Sequence, residues 1–500
     1  MPRNYWLSLS FANLVYLRAW ADLLPPGPDD GFYRKTLASP GLYFGIVADV
    51  LLLSLLTFLV VSIAPKLPRW LQRILPVVAI AMVAMAIRSV STAAFVRHGV
   101  FSSALAGLLA LTVVILSILF FSQTVRVLQI IALAATPCLA VTLAGSLIYF
   151  QVQKPLPRDP APAPRLAGSP PFRVLWILFD DWDERMTFSD RPAGLRLPVI
   201  DDLAYRSFNA TRALAVQGGR VPLDQMSTYG AVPSLLYGKF LVRAEVPDAS
   251  TMRIEFDPPT RGPIVLGAGH HLFARARARG WNAAAAGWYL PYCRVFGSQL
   301  SDCYWDVRYI PAYAARYDFA HGAVDETRML FETAAFSPFG PSLVDLRHES
   351  EYKAILEAGR RFAADPSIGV ALIHFNIPHT PYFYDPKIGP SPRYGYWGSL
   401  YNDALQWVDR SVGSILASVH DASLDGKTAI ILSSDHPFRF SASHDPHVPF
   451  IVHLPGARTG VLWEDEFSTV RTADLIMAIA GGEVKSAAEV AHFVTRTGGQ

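Results

Sequence analysis

The chain has 500 residues, 51% of them hydrophobic, and a net charge of only +3. That length is too great for one ordinary core, so at least two domains are expected. The weak charge, with no Lys/Arg stripe carrying interleaved aromatics, argues against nucleic acid as a partner. A mean hydropathy of +0.26 is above what a soluble enzyme needs.

The apolar excess is gathered in the first 150 residues. Gly41–Ala64, Leu75–Phe95, Gly99–Ser122 and Val127–Phe150 each reach the roughly 20 residues that span a bilayer. Tyr5–Leu24, interrupted by Arg18 and Asp22, makes a weaker fifth. These stretches predict an α-helical transmembrane bundle of four to five spans over residues 1–150. Asp49 and Arg88 fall inside spans, where an ionisable group is costly and faces the bundle, and they read as a structural polar pair. Lys66, Arg69 and Arg73 form the densest basic loop between spans and are expected on the cytoplasmic side. Everything after Phe150 is then outside, as in a multi-pass protein of a bacterial-type inner membrane with a periplasmic or extracellular C-terminal domain.

Residues 151–172 hold seven prolines and read as a stiff, extended linker. From 173 to 500 the pattern changes to one α/β domain. "RVLWILF" (173–179), "GVALIHF" (369–375), "TAIILSS" (428–434) and "VPFIVHL" (448–454) have the continuous apolar character of buried parallel strands. Helical patterns lie between them, which predicts a mostly parallel sheet covered by helices on both faces. In such sheets the ligand site lies beyond the carboxyl ends of the strands. Cys293 and Cys303 are spaced either to close a short disulfide loop or to remain free thiols, and Cys138 reads as a packing residue inside a span.

The strand ends carry metal-ligand residue types. Asp180 and Asp181 follow the first, Asp435 and His436 the third, His374 and His379 lie in and after the second, and His444 and His447 precede the fourth. Carboxylates and imidazoles converging at one sheet edge make a divalent-cation site. Singly, each has a plainer reading: "DDWDE" caps a helix start, and His374 and His453 are satisfied core histidines. "STYGAVPSLLYGKF" (227–240) places Ser227 and Thr228 in a turn ahead of a helix start at Pro233. A hydroxyl there, bound to a cation, becomes a nucleophile; the alternative is an ordinary cap.

"VLWILFDDWDE", "STYGAVPSLLYG", "HFNIPHTPYFY", "YNDALQWVDRSVGSIL", "ILSSDH" and "HVPFIVHLPG" occur in an order that resembles the sulfatase and alkaline-phosphatase superfamily. With the anchor, the chain is similar to its membrane branch, the phosphoethanolamine transferases and lipoteichoic-acid-synthase-like proteins. The resemblance implies an alkaline-phosphatase-like fold and a divalent metal, Zn²⁺ or Mn²⁺, held by Asp180, Asp181, Thr228, Asp435, His436 and His444. It implies Thr228 as the covalent nucleophile, His379 as a substrate-side histidine, and a membrane lipid or envelope glycan as substrate. Asp409 is expected to be structural.

The chain also departs from the family. Sulfatases need Cys or Ser where Ala231 stands and Arg where Leu235 stands, which excludes formylglycine chemistry. The transferases carry Glu where Asp180 or Asp181 stands and Gly where Pro437 stands. Three readings follow: transfer of a phosphoryl-containing group such as phosphoethanolamine, hydrolysis of a phosphate or sulfate ester, or a non-catalytic envelope binding protein with a degenerate site.

Overall fold

A computed structural model describes residues 2–23, 32–35, 40–95, 119–152, 155–257, 262–306, 319–331, 343–385, 389–390, 397–439 and 445–497. The chain divides into two compact units. The first comprises Met1–Pro26, Thr36–Pro155 and Pro311–Phe339; the second comprises Gly27–Lys35, Leu156–Ile310 and Gly340–Gln500.

The first unit is helical. Its helices are Pro2–Val15, Leu17–Asp22, Pro40–Ile63, Arg69–Phe95, Phe121–Ala134, Thr136–Val152 and Phe319–Phe331. Leu9, Ala12, Trp20, Leu42, Ile46 and Val50 form its buried cluster. Among the described residues, one helix, Pro40–Lys66, is long and apolar enough to cross a membrane. Val125–Ala134 and Thr136–Ile148, bent by 42°, make at most a second. Of the four to five expected spans, the described residues thus support Gly41–Ala64 and, as a bent pair, Val127–Phe150. Tyr5–Leu24 is divided between two short helices, and Gly99–Ser122 lies outside the described residues but for its last four. Asp49 accepts from Thr327 Oγ1 at 3.2 Å, a partner the sequence reading did not name. Cys138 is exposed rather than packed.

The second unit is built on a nine-stranded sheet. Its strands, with those of two small sheets, are β1 (Arg173–Asp180), β2 (Phe208–Leu214), β3 (Phe240–Asp248), β4 (Thr251–Asp257), β5 (Ile264–Val265), β6 (Asn282–Trp288), β7 (Asp302–Asp306), β8 (Ile368–Pro378), β9 (Tyr384–Asp385), β10 (Gly389–Pro390), β11 (Thr428–Ser434), β12 (His447–His453), β13 (Val461–Trp463) and β14 (Phe467–Ser468). The order is β13-β2-β12-β11-β1-β8-β6-β7, with β14 also on β2. The run β11-β1-β8-β6-β7 is parallel throughout. Every residue of β1 is buried. Leu175, Ile177 and Phe179 pack with Tyr352, Ile355, Phe362, Val408, Val412 and Ile415 of the helices Leu343–Ala364 and Trp397–Asp421. The period-2 alternation of a strand turns Val174, Trp176 and Leu178 to the other face, and they are equally buried.

One strand runs against expectation. β12 pairs antiparallel with β11, Ile430 opposite His453 and Ser433 opposite Phe450. An apolar run does not encode direction, since a strand inside a sheet is covered on both faces whichever way it points. The reversal brings the start of β12 to the edge where β11 ends.

The Pro-rich stretch is extended but not free. Ala163 N–H donates to Leu300 O at 2.7 Å and Leu166 N–H to Asn282 Oδ1 at 2.8 Å. The short segment 32–35 also belongs to this unit, with Arg294 donating to Phe32 O and Arg34 O, each at 2.7 Å. Cys293 and Cys303 form a disulfide.

Candidate metal centre

β1 ends on Asp180, and the next residue, Asp181, takes a left-handed backbone, φ 66°. Such a conformation costs a non-glycine residue about 1–2 kcal/mol, and Asp tolerates it better than most. Here it breaks the strand's alternation, so that two consecutive carboxylates face one imidazole. Asp180 Oδ1 lies 3.6 Å from His436 Nε2 and Asp181 Oδ1 3.0 Å from His436 Nδ1. Tyr401 holds the turn by donating to Asp181 O at 2.7 Å and accepting from Asp183 N–H at 2.9 Å. Asp183 is indeed a cap, its side chain accepting from Met186 N–H. The four acids of "DDWDE" therefore divide their work, Asp180 and Asp181 at the site and Asp183 and Glu184 at a helix start.

β11, bonded alongside β1, delivers Asp435 and His436 just past its last residue. Asp435 Oδ2 stands 3.5 Å from His436 Nε2 and accepts the Thr228 hydroxyl at 2.8 Å. The same hydroxyl is 3.3 Å from Asp180 Oδ2. Thr228 is the first residue of the helix Thr228–Tyr237, so this helix begins five residues before the expected start and keeps Pro233 inside it. Pro233 removes only the bond to the carbonyl four residues earlier. Gln217 locks the entry, its Oε1 accepting from Ser227 N–H at 2.8 Å. A Cβ on Gly230 would meet the amide end of Gln217, so a larger residue there would displace this side chain from Ser227. Thr228 is 3% exposed and faces the carboxylates.

Six residues that the sequence singled out are thereby located. Asp180, Asp181, Thr228, Asp435 and His436 converge. His379 stands at the rim, Nε2 3.7 Å from Asp181 Oδ2. His444 lies outside the described residues. His447 turns away to Asp445 and Glu466, at 2.5 and 3.3 Å. Asp409 caps another helix, accepting from Val199 and Ile200 N–H at 2.9 and 2.8 Å. His453 pairs with Ser207 Oγ at 3.0 Å.

Sequence reasoning missed two residues. His374, read as a core histidine, forms with Asp180 and Asp435 a second group whose ligand atoms lie within 4.8 Å of one another, beside the group Asp180, Asp181 and His436. Its Nδ1 pairs with Tyr292 OH at 2.8 Å. The signal was in the neighbouring strand. β6 is four alanines and then Gly287, which sits opposite His374, and a Cβ on Gly287 would lie 3.0 Å from His374 Cβ and 2.6 Å from the Tyr292 ring. The other is Arg439, whose Nε is 3.4 Å from Asp181 Oδ1 and whose Nη2 is 3.2 Å from His379 Nε2.

The donor set fits a divalent cation. Asp180 Oδ1, Asp181 Oδ1, His374 Nε2 and His436 Nε2 are all buried without a well-directed hydrogen bond. Three carboxylates crowded in an apolar interior are costly unless a cation compensates them. The titration of the groups reflects that crowding. Burial and the Asp435 charge push the Asp180 carboxyl up to about 7. Burial acts on Asp181 in the same sense, but His379, His436 and Arg439 outweigh it and hold that carboxyl at about 2. Burial disfavours the His436 cation, yet Asp435, Asp181 and Asp180 raise it to about 10. Burial keeps His374 neutral, its value lowered to about 4, which is the state a ligand needs. A cavity of about 650 Å³ lies elsewhere in this unit, lined by Thr428 at the opposite end of β11 with Arg206, His453 and Arg458.

Residues 247–465 match the family of type I phosphodiesterases and nucleotide pyrophosphatases. The matched stretch takes in His374, His379, Asp435, His436 and Arg439 and begins after Asp180, Asp181 and Thr228. Over this stretch the second unit is similar to enzymes of the alkaline-phosphatase and sulfatase superfamily, the resemblance its motifs carry. No curated protein matches the sequence. Among solved structures, a protein of the alkaline phosphatase superfamily from Vibrio parahaemolyticus is 13% identical, with a TM-score of 0.41 over 63% of this chain and 68% of its own. A phosphonate monoester hydrolase of Agrobacterium radiobacter is 15% identical, at 0.40 over 62% and 74%. The lipoteichoic acid synthase LtaP from Listeria monocytogenes is 10% identical, at 0.40 over 67% and 77%.

Proposed function

We propose that the chain is a membrane-anchored, metal-dependent transferase that carries a phosphoryl-containing group, such as phosphoethanolamine, through a covalent Thr228 intermediate to an envelope lipid or glycan. The observation that carries this reading is the Thr228 hydroxyl, buried at a helix start and 2.8 Å from Asp435. A hydroxyl used only as a cap would bond its own helix, and no such cap bond is made from Ser227 either.

A divalent cation, Zn²⁺ or Mn²⁺, held by Asp180, Asp181, Asp435, His436 and Thr228 Oγ1 would supply charge neutralisation and an acidified hydroxyl. The chain's own residues do the rest. Thr228 Oγ1 forms a bond to phosphorus as the bond to the leaving oxygen breaks, and that oxygen keeps the electron pair. The Thr228 proton has a carboxylate acceptor in Asp435. The helix start places its positive end toward the anionic group. In the second half-reaction an acceptor hydroxyl attacks phosphorus, Thr228 Oγ1 leaves and recovers a proton, and His379 takes the acceptor's proton. His379 returns it to the leaving oxygen of the next donor.

Membrane residence is supported by Pro40–Ile63, where Leu51, Leu52, Leu55, Leu56 and Leu59 are exposed side by side, a surface suited to lipid. The basic loop at 66–73 favours a periplasmic or extracellular catalytic domain. The phosphodiesterase match favours a second reading, in which water is the acceptor and the chain is a hydrolase. Incubating membranes that contain the protein with their lipid extract and following phosphoryl-bearing products by mass spectrometry separates the two. An acceptor lipid or glycan that gains the group supports transfer; release of the group to water alone supports hydrolysis. No product dependent on metal and on Thr228 contradicts both.

A further inference from the structure

We infer that Arg439 binds a non-bridging oxygen of the phosphoryl group, an inference that rests on the transferase or hydrolase reading above. Arg439 touches each of the three segments that build the centre. Its Nη1 donates to the carbonyl of Met226, two residues before Thr228, at 3.4 Å. Its Nη2 faces His379 beyond β8 at 3.2 Å, and its Nε faces Asp181 beyond β1 at 3.4 Å.

Those contacts hold the guanidinium in place without saturating it. Arginines elsewhere in the same unit make short bidentate pairs, Arg361 with Asp302 at 2.9 and 3.0 Å and Arg191 with Asp201 at 2.8 and 2.6 Å. Among the described residues Arg439 has single contacts of 3.2–3.4 Å rather than a bidentate pair, and its Nε is buried without a well-directed hydrogen bond. A guanidinium has five donors in a planar fork that matches phosphate oxygens. With a divalent cation held there, Asp181 would be engaged by the metal and the Arg439 fork would be left for an anion.

The backbone is arranged to deliver the residue. Phe438 is 4% exposed and stacks on Tyr401, ring centroids 4.3 Å apart, and Tyr401 in turn bonds the Asp181 turn. Pro437, which stands where the family has glycine, offers no N–H and fixes φ. The turn after the ligand pair is therefore rigid and anchored on the same tyrosine as Asp181, which holds Arg439 at the rim beside His379. The group bound must carry at least one anionic oxygen not engaged by Thr228's side of the site, as phosphomonoesters and phosphodiesters do.

The test uses the full-length protein loaded with Mn²⁺ or Zn²⁺, and inorganic phosphate as the probe. Metal content is measured by elemental analysis and phosphate affinity by calorimetry, for the wild type, Arg439→Ala, Arg439→Gln and Arg439→Lys. Loss of a charged hydrogen-bonding partner should weaken phosphate binding about 10- to 100-fold in Arg439→Ala and Arg439→Gln, with metal content unchanged and Arg439→Lys between them and the wild type. Unchanged phosphate affinity in the Ala and Gln variants overturns the inference alone. So does loss of metal in both, since Arg439 would then serve Asp181. A wild type that binds neither metal nor phosphate overturns the functional reading and this inference with it.

Discussion

Thr228 Oγ1 and Asp435 Oδ2 stand 2.8 Å apart across a sequence separation of 207. The parallel pairing of β1 with β11 sets Asp435 beside Asp180, and the helix start at Thr228 meets both. The contact joins the hydroxyl proposed as nucleophile to a candidate cation site by way of the fold alone, and it sets the first expectation.

Metal binding to this cluster should stabilise the folded protein. With free metal at a hundredfold its dissociation constant the gain is about 2–3 kcal/mol. Adding a chelator should therefore lower the melting temperature of the wild type by several degrees. In Asp435→Asn the chelator should have little effect, because a ligand is gone. A chelator-induced shift of equal size in both proteins would place the metal elsewhere.

The Asp435 and Asp180 positions were legible in the sequence because an acid directly after a long apolar run has few places to go except the strand's carboxyl edge. Thr228 was selected by the family resemblance, since the residues alone did not choose between it and Ser227, and the geometry turns it to the carboxylates. His374 was hidden by its surroundings. Inside "ALIHF" a ligand and a core histidine look alike, and only the Ala-Gly run of β6, distant in sequence, makes room for one. Arg439 was hidden because it lies in a loop whose path depends on Phe438 meeting Tyr401. The direction of β12 was illegible, since burial on both faces erases the alternation that would distinguish its setting. The apolar blocks before residue 150 that fall within the described residues were readable as helices, but the break after Val15 carries no Gly or Pro to announce it.

Buried histidine gives the second unit a dependence on pH. Burial lowers His271 to about 4, against about 6.5 in an unfolded chain. Between those values the unfolded state binds more protons, so stability falls as pH drops. The loss from pH 7 to pH 5 should be about 2 kcal/mol from this residue. His271→Asn, which puts a residue favoured at this N-cap position before the helix Leu272–Ala278 but loses the buried ring, should be less stable at pH 7. Its own change in chemical-denaturation midpoint between pH 7 and pH 5 should be smaller. An unaltered pH difference would show that His271 titrates as it does in water.

The disulfide between Cys293 and Cys303 closes a short loop, with a sequence separation of 10. Cys303→Ser together with Cys293→Ser should cost about 2–3 kcal/mol of stability, most of it through the unfolded state. Equilibrium unfolding of the pair variant against the wild type checks the figure. Equal midpoints under non-reducing conditions would count against a formed bridge.

Asp409 offers a control away from the chemistry. Its Oδ1 accepts from two backbone N–H groups at the start of the helix Pro198–Arg206. Asp409→Ala should lower stability by about 1–2 kcal/mol while leaving bound metal and turnover per folded molecule unchanged. Loss of metal in this variant would mean that the helix it caps supports the centre.

The central claim is that Thr228, and not its neighbour Ser227, becomes covalently linked to the transferred group. Thr228 faces Asp435 and Asp180, whereas the main chain of Ser227 is held by Gln217. The most direct measurement is to quench the metal-loaded enzyme during turnover on its lipid extract and map the adduct by peptide mass spectrometry. The account predicts a phosphoryl-bearing adduct on Thr228, absent from Thr228→Ala and retained in Ser227→Ala. An adduct on Ser227, or full turnover by Thr228→Ala, would contradict it.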